Sequence, residues 1–168
     1  QPETDNFKVF NRDNSVIKTD LITAISEAKN GDLLFADRKF LYRYSKENAQ
    51  ISVIAQVYKE ESFIKVIFEE ANRIWVGSNK FGAKLIDTET LEVHDTDKVN
   101  PWGVTLDIRA LHDIAVISGN YWLATNDGLI VLASNGRVLK RIKGDDLGVY
   151  EEVNSFSISV VGNDIWVG

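Results

Sequence analysis

The side chains that could carry chemistry in this chain are few and scattered. It has two histidines, His94 and His112, and no cysteine, so it offers no thiol nucleophile, disulfide or zinc–thiolate site. The HDTD segment at 94–97 is interpreted as a polar loop rather than a cation site. The Asn-Asp-Gly segment at 126–128 lacks the further alternating carboxylates of a calcium loop. We therefore predict no metal and no cofactor.

Motifs for catalysis are also missing from the sequence. No serine lies in a Gly-x-Ser-x-Gly context, and no glycine-rich loop could cradle a phosphate. Paired carboxylates for glycoside hydrolysis can meet in space without a local motif, so the sequence leaves that chemistry open without supporting it. We predict no catalytic residues and a segment that is not an enzyme. The net charge is −6, with acids and bases interspersed, which predicts no nucleic-acid partner.

Ligand recognition is the remaining chemistry, and Trp102 is the first candidate for it. Trp102 follows Pro101, lies outside the register of the other tryptophans, and has Asp107 and Arg109 nearby. An aromatic ring beside such polar groups suits stacking on a sugar ring with hydrogen bonds at its edge. The alternative is that Trp102 packs under its own loop. The predicted ligand residues are Arg38, Asn79, Phe81, Trp102, Asp107, Arg109, Asn126 and Asp127, with Lys39 and Lys80 beside them.

A repeat of forty-odd residues predicts how these side chains are positioned. Leu34, Trp75, Trp122 and Trp166 recur at intervals of 41, 47 and 44 residues, each in a short apolar strand that precedes a turn or, for Trp166, closes the sequence. Each full repeat contains four short segments of strand character, and no helical periodicity competes with them. The sequence therefore predicts an all-β fold, a β-propeller of antiparallel four-stranded blades in which these anchors pack one blade on the next.

The predicted propeller is partial, with about three and a half blades in one domain over residues 1–168. The predicted parts are an outer strand at 7–10, blades at 21–56, 63–94 and 108–142, and a half blade at 153–168. An unfinished propeller exposes a sheet edge and an apolar face. We therefore expect the chain to be the N-terminal part of a longer propeller whose remaining blades are its partners.

Two relations within the propeller follow from the repeat. Segment 7–36 aligns without gaps on segment 139–168, so the strand at 7–10 is predicted to complete the last blade of the larger ring. In a propeller, the turns from second to third strands share one rim with the links between blades. The predicted ligand residues are therefore expected to lie together on that rim.

The repeats resemble those of the two-component-regulator propeller family. The resemblance rests on IWVGS at 74–78, WLAT at 122–125, IWVG at 165–168, the Gly-Leu pair at 128–129 and the acidic turn at 87–90. It covers essentially the whole chain from Phe7. The first blade departs from the pattern, because Leu34 replaces the tryptophan and Phe40 stands where a turn glycine is expected.

The resemblance implies the extracytoplasmic sensor region of a bacterial hybrid two-component histidine kinase. It implies a protein that is exported to the periplasm and tethered to the membrane, and QPE at 1–3 fits the tail left by a removed signal peptide. It further implies an oligosaccharide ligand and a downstream signalling domain, a histidine kinase or a diguanylate cyclase. The expected function is non-catalytic ligand sensing, with a homodimer as another possible partner state. A protein-interaction scaffold and a glycan hydrolase or lyase are the alternatives.

Overall fold

Antiparallel sheets stacked in chain order make up the computed structural model, which describes residues 7–147, 157–162 and 164–168. These ranges contain three four-stranded sheets and one two-stranded sheet, and no α-helix. None of their segments forms a helix that could cross a membrane. The all-β partial propeller predicted from the repeat is confirmed.

Blade 1 contains β1 to β4, blade 2 contains β5 to β8, blade 3 contains β9 to β12, and blade 4 contains β13 and β14. Within each blade, successive strands are hydrogen-bonded neighbours. The bounds are β1 Ala24–Glu27, β2 Leu33–Ala36, β3 Phe40–Ser45, β4 Gln50–Gln56, β5 Ile64–Glu70, β6 Arg73–Ser78, β7 Ala83–Asp87, β8 Val93–Asp95, β9 Leu111–Ile117, β10 Asn120–Thr125, β11 Gly128–Leu132, β12 Val138–Ile142, β13 Ile158–Val161 and β14 Asp164–Val167.

The structure differs from the predicted strands at the first described segment. Residues 7–10 form no strand, and Phe7 is 88% exposed; that this segment completes the last blade of a longer propeller stays a prediction. Phe10 instead packs beside Tyr44, with 5.7 Å between the ring centroids. The predicted half blade at 153–168 contains β13 and β14, whereas its residues 153–156 lie outside the described residues, as does the predicted N-terminal tail at 1–3.

Two of the middle strands of the blades, β6 and β11, are buried on both faces, as expected for sheets packed between neighbours. All six residues of β6 and all five of β11 are buried. Strands covered on both faces read as continuous apolar runs rather than as alternating patterns. Gly77 shows how closely the blades approach, since a Cβ there would lie 2.9 Å from Leu111 of blade 3.

The repeat anchors pack one blade on the next, as predicted. Leu34 and Trp75 are both fully buried, Leu34 in the core between blades 1 and 2 and Trp75 in the core between blades 2 and 3. Trp122 packs with Ile158 of blade 4. Trp166 occupies the same place in blade 4 and is 63% exposed. Each anchor is therefore buried to the extent that a following blade covers it.

Polar contacts tie the blades together at the edge that carries the turns between first and second strands. Glu69 of blade 2 accepts a hydrogen bond from the backbone N–H of Lys29, at 2.8 Å, and pairs with Arg43 at 3.2 Å. Between blades 2 and 3, the Tyr121 hydroxyl accepts a hydrogen bond from Arg73 at 2.6 Å and donates one to Glu70. Burial and the Glu70 carboxylate raise the pKa of Tyr121, so it remains a donor.

Candidate ligand-binding rim

A buried polar residue three positions after each repeat anchor, at or just past the end of the second strand, shapes the turns that carry most of the predicted ligand residues. Asp37, Ser78 and Thr125 occupy this position in blades 1 to 3. Asp37 Oδ1 accepts two backbone N–H groups of its turn, both at 2.7 Å. Ser78 Oγ accepts the N–H of Phe81 at 2.8 Å, and Thr125 Oγ1 accepts that of Asp127 at 3.1 Å. These hydrogen bonds within the protein hold the turns in place without a ligand.

The turns from second to third strands and the links between blades share one edge, which we call the link rim. Its turns are at 37–39, 79–82 and 126–127, and its links include 57–63 and 96–110. Backbone hydrogen bonds join turn to link: from the N–H of Val57 to the Lys39 carbonyl at 2.7 Å, and from that of Gly82 to the Arg109 carbonyl at 2.8 Å. The predicted geometry of this rim is therefore present in blades 1 to 3.

Two of the predicted ligand residues, Asn79 and Asn126, instead hold the link beside them. Asn79 Oδ1 accepts hydrogen bonds from the Phe63 N–H and the Ser62 hydroxyl, both at 3.1 Å. Asn126 Oδ1 accepts the N–H of Ala110 at 2.9 Å. Both asparagines lie four residues after the tryptophan of their repeat and make the same kind of bond. Their acceptor oxygens are therefore used by the fold itself.

Trp102 is separated from the other predicted ligand residues. Its indole N–H donates to Asn72 Oδ1 at 3.1 Å, and Asn72 lies in a turn on the edge opposite the link rim. The ring is partly buried against the core of blades 2 and 3 and makes an edge-on contact with His94 at 5.5 Å. The expectation that Trp102 shares the rim is wrong, because the link at 96–110 is long enough to cross to the other edge before returning.

The remaining predicted residues are placed as follows. Asp127 is exposed in the turn of blade 3, and Asp107 and Arg109 are exposed on the link before blade 3. In that link they alternate with buried apolar residues of the blade 2–3 core, Leu106 and Ile108 among them. Arg38 and Phe81 line two separate clefts. The structure therefore divides the predicted set rather than gathering it into one site.

The larger cleft, of about 640 Å³, opens on the link rim between blades 1 and 2, and we call it the interblade cleft. Phe81 and Tyr58 contribute its aromatic surface, with ring centroids 6.0 Å apart. Lys84, Asp95 and Gln56 contribute polar groups. Its volume lies within the range typical of small-molecule pockets.

Tyr58 is buried, and its hydroxyl lies 3.1 Å from the Gly82 carbonyl oxygen and 3.2 Å from that of Val76. Burial raises the pKa of Tyr58, so it stays protonated as a hydrogen-bond donor. Sequence reasoning missed this residue. Its signal in the sequence is that of an aromatic residue outside the register of the repeat anchors, a feature that it shares with Trp102.

The charged wall of the interblade cleft is an ion-paired group. Asp95 pairs with Lys84 and with Lys98, the latter at 2.8 Å. Hydrogen bonds from Lys84 and then Lys98 hold the pKa of Asp95 below its ordinary value, so the carboxylate stays ionised. The wall can therefore accept and donate hydrogen bonds. Within the described ranges, no group of three His, Cys, Asp or Glu residues could hold a metal ion.

The smaller cleft, of about 380 Å³, lies where residues 18–21 approach the turn of blade 1, and we call it the basic cleft. Lys18, Arg38 and Lys39 line it together with Glu61. Arg38 pairs with Glu61 at 2.9 Å. The two clefts flank the first link, at 57–63, so residues of blades 1 and 2 and of the segments beside them line both of these clefts.

No protein-family model matches this chain, and no curated protein matches it. Among solved structures, the extracellular domain of BT4673 from B. thetaiotaomicron, assigned to a hybrid two-component system, matches 95% of the chain with a TM-score of 0.73 and 16% identity. That of BT3049 from the same organism, with the same assignment, matches 96% with a TM-score of 0.72 and 14% identity. The computationally designed protein Ika4 matches 88% with a TM-score of 0.61 and 13% identity.

The first two neighbours are the kind of protein that the repeat resemblance predicted, and at this level of identity the likeness establishes a shared fold. The chain spans 21% of BT4673 and 23% of BT3049, about a fifth of each solved chain. It spans 84% of Ika4.

Proposed function

We propose that this chain is a ligand-sensing part of the extracytoplasmic region of a bacterial two-component signal-transduction protein. The observation that carries the proposal is the fold that almost the whole chain shares with two extracellular domains assigned to such systems. In this function the propeller catalyses nothing. It recognises a ligand outside the cytoplasm, and a downstream kinase or cyclase reads the result.

The interblade cleft is the site that we propose for the ligand, and an oligosaccharide is the ligand class. Phe81 is half-buried and offers an apolar ring face, while Lys84, Asp95 and Gln56 supply donors and acceptors around it. Sugar rings combine apolar faces with hydroxyl edges, so an aromatic surface beside paired charges fits both. Asp107, Arg109 and Asp127 stay candidates for contacts with a longer ligand along the same rim.

The position of the cleft suggests how binding is transmitted. Gln56 ends β4 of blade 1, and Tyr58 lies in the link that follows it. Phe81, Lys84 and Asp95 belong to blade 2. A ligand that contacts both sides favours the blade arrangement that it fits best. Binding shifts the populations of the arrangements by its differential affinity for them.

A further four-stranded blade is the partner that we propose for the open face of blade 4. Trp166 is 63% exposed and Val161 is 62% exposed on the face that points away from blade 3. At the three preceding interfaces, the anchor residue in this position is covered by the next blade. The same contact, repeated once more, would bury Trp166.

Binding of oligosaccharides measured by thermal shift and calorimetry tests the proposed function. We expect an oligosaccharide to raise the unfolding midpoint of the protein saturably, since a ligand of the folded state stabilises it. Phe81→Ala should abolish the shift. Phe63→Ala is the matched control, because Phe63 is an exposed phenylalanine on the same rim that does not line the cleft. A panel of oligosaccharides without any saturable shift, or binding unaffected by Phe81→Ala, would refute the assignment.

A further inference from the structure

The basic cleft has a concentration of positive charge that the composition of the protein does not predict. The chain carries a net charge of −6, yet Lys18, Arg38 and Lys39 line one cleft of about 380 Å³. Two acidic residues, Asp37 and Glu61, also line it. Whether the cleft is basic in effect depends on whether these carboxylates neutralise the three cations.

Asp37 does not neutralise the lysines, because the fold uses its oxygens. Oδ1 accepts the backbone N–H groups of Lys39 and Phe40, both at 2.7 Å, and Oδ2 accepts the Tyr42 hydroxyl at 2.6 Å. Asp37 is buried beneath the turn. Its carboxylate therefore shapes the cleft and makes no ion pair with Lys18 or Lys39.

Glu61 accounts for one of the three cations. It pairs with Arg38 at 2.9 Å, and its side chain is 61% exposed. For Lys18 and Lys39, no carboxylate lies within ion-pair distance in the part of the chain that the structure describes. Two lysine ammonium groups beside an arginine are thus left without a protein counter-ion.

Arg38 adds a second, independent sign of a missing acceptor. Its guanidinium lies 5.0 Å from the Phe63 ring centroid, which holds it in place. Its Nε is buried and has no hydrogen-bond partner. Arg43 and Arg73 share this feature but lie between blades, whereas Arg38 lines a cleft that is open to solvent. Glu61 takes a single hydrogen bond, from Nη1, so the guanidinium keeps further N–H donors for a ligand that enters the cleft.

We propose that the basic cleft binds the anionic group of a small ligand, a carboxylate, sulfate or phosphate, through Arg38, Lys39 and Lys18. Arg38 presents a planar donor group and the lysines supply point charges, the combination that holds such oxyanions in proteins. The volume lies within the range of small-molecule pockets. This site is separate from the interblade cleft, so the proposed anion site and the proposed oligosaccharide site can be tested independently.

Titrations with sodium sulfate, sodium phosphate and sodium acetate at constant ionic strength test the site. We expect at least one anion to raise the unfolding midpoint saturably, with a dissociation constant measurable by calorimetry. Lys39→Ala should weaken binding about tenfold, the loss of one charge-assisted hydrogen bond. Lys18→Ala should weaken it in the same direction. The three salts distinguish a tetrahedral oxyanion from a planar carboxylate, and preference for either supports the proposal.

Lys80→Ala is the matched control, because Lys80 occupies the same place in the turn of blade 2 and does not line the basic cleft. We expect anion affinity to be unchanged in this variant. Circular dichroism of all variants without anion checks that their folds are intact. Equal weakening in Lys80→Ala and Lys39→Ala, or a shift that is linear in every salt including chloride, would mean a general ionic effect and overturn the proposal. So would the absence of a saturable response to any of the three anions.

Discussion

Substitution of two tryptophans in the same repeat position by alanine should have very different effects on stability. Trp75 and Trp166 stand at the same place in the second strands of blades 2 and 4. Trp75 is 0% exposed, whereas Trp166 is 63% exposed because no described strand covers its face. Because sequence context is shared, the difference between Trp75→Ala and Trp166→Ala isolates the contribution of the blade–blade contact.

The expected magnitudes follow from burial. Truncating a fully buried tryptophan to alanine removes its apolar contacts and leaves a cavity, which destabilises by about 4 kcal/mol. The buried indole nitrogen of Trp75 has no hydrogen-bond partner, so the substitution breaks no hydrogen bond and the loss is one of packing. For Trp166, the smaller buried fraction limits the loss to about 1 kcal/mol.

Urea unfolding followed by far-UV circular dichroism is the suitable assay, since fluorescence would change with the removal of either tryptophan. The midpoint should fall strongly for Trp75→Ala and slightly for Trp166→Ala, with similar denaturant slopes. Equal losses in the two variants would refute the reasoning that blade contact governs the anchor. In a longer chain that carries the next repeat, the loss for Trp166→Ala should rise to that for Trp75→Ala.

Three other predictions concern a turn, a link and a titrating group. Gly82 has φ +63°, and a Cβ there would lie 2.5 Å from a carbonyl oxygen, so Gly82→Ala should destabilise by about 3 kcal/mol. Gly119→Ala, at φ +77° in open space, should cost about 1 kcal/mol, and thermal melts of the two glycine variants measure the difference. Asn126→Ala removes the acceptor of the Ala110 N–H and should cost about 1 kcal/mol, with faster hydrogen exchange at that amide. Burial, followed by a nearby lysine, lowers the pKa of His112 below 6.5, so the unfolded chain binds the proton first. Stability should therefore fall as pH drops from 6.5 through the folded-state pKa, and His112→Gln should flatten that fall in urea midpoints taken at several pH values; an unchanged slope would contradict it.

The architecture was predictable because the anchor residues recur with a nearly constant interval. The spacing identifies Leu34 as an anchor despite its different side chain, and it is fully buried between blades 1 and 2. Short turns fix antiparallel neighbours, so strand order follows from the sequence. Residues 7–10 form no strand in the structure, and their pairing with the last blade of a longer ring stays a prediction.

The candidate site was less predictable, because polar residues in turns look alike in a sequence. Asn79 and Asn126 were selected as ligand residues, yet their side chains hold links through hydrogen bonds that only the fold reveals. Trp102 was expected on the wrong edge, because nothing local in the sequence of a long link encodes the path of that link. Tyr58 and Asp95 come together from different blades, and their meeting depends on how two sheets pack.

The N-terminal segment makes the two outer faces of the sheet stack different: it covers that of blade 1, whereas that of blade 4 exposes Trp166. Ile17 and Phe10 pack with Phe35 and Tyr42 on the face of blade 1 that points away from blade 2, and the Tyr42 hydroxyl accepts the Lys18 N–H. A copy that presents Trp166 would meet this layer, not a bare sheet, on a neighbouring copy. Head-to-tail stacking, which would propagate into filaments, is thereby obstructed at one flank.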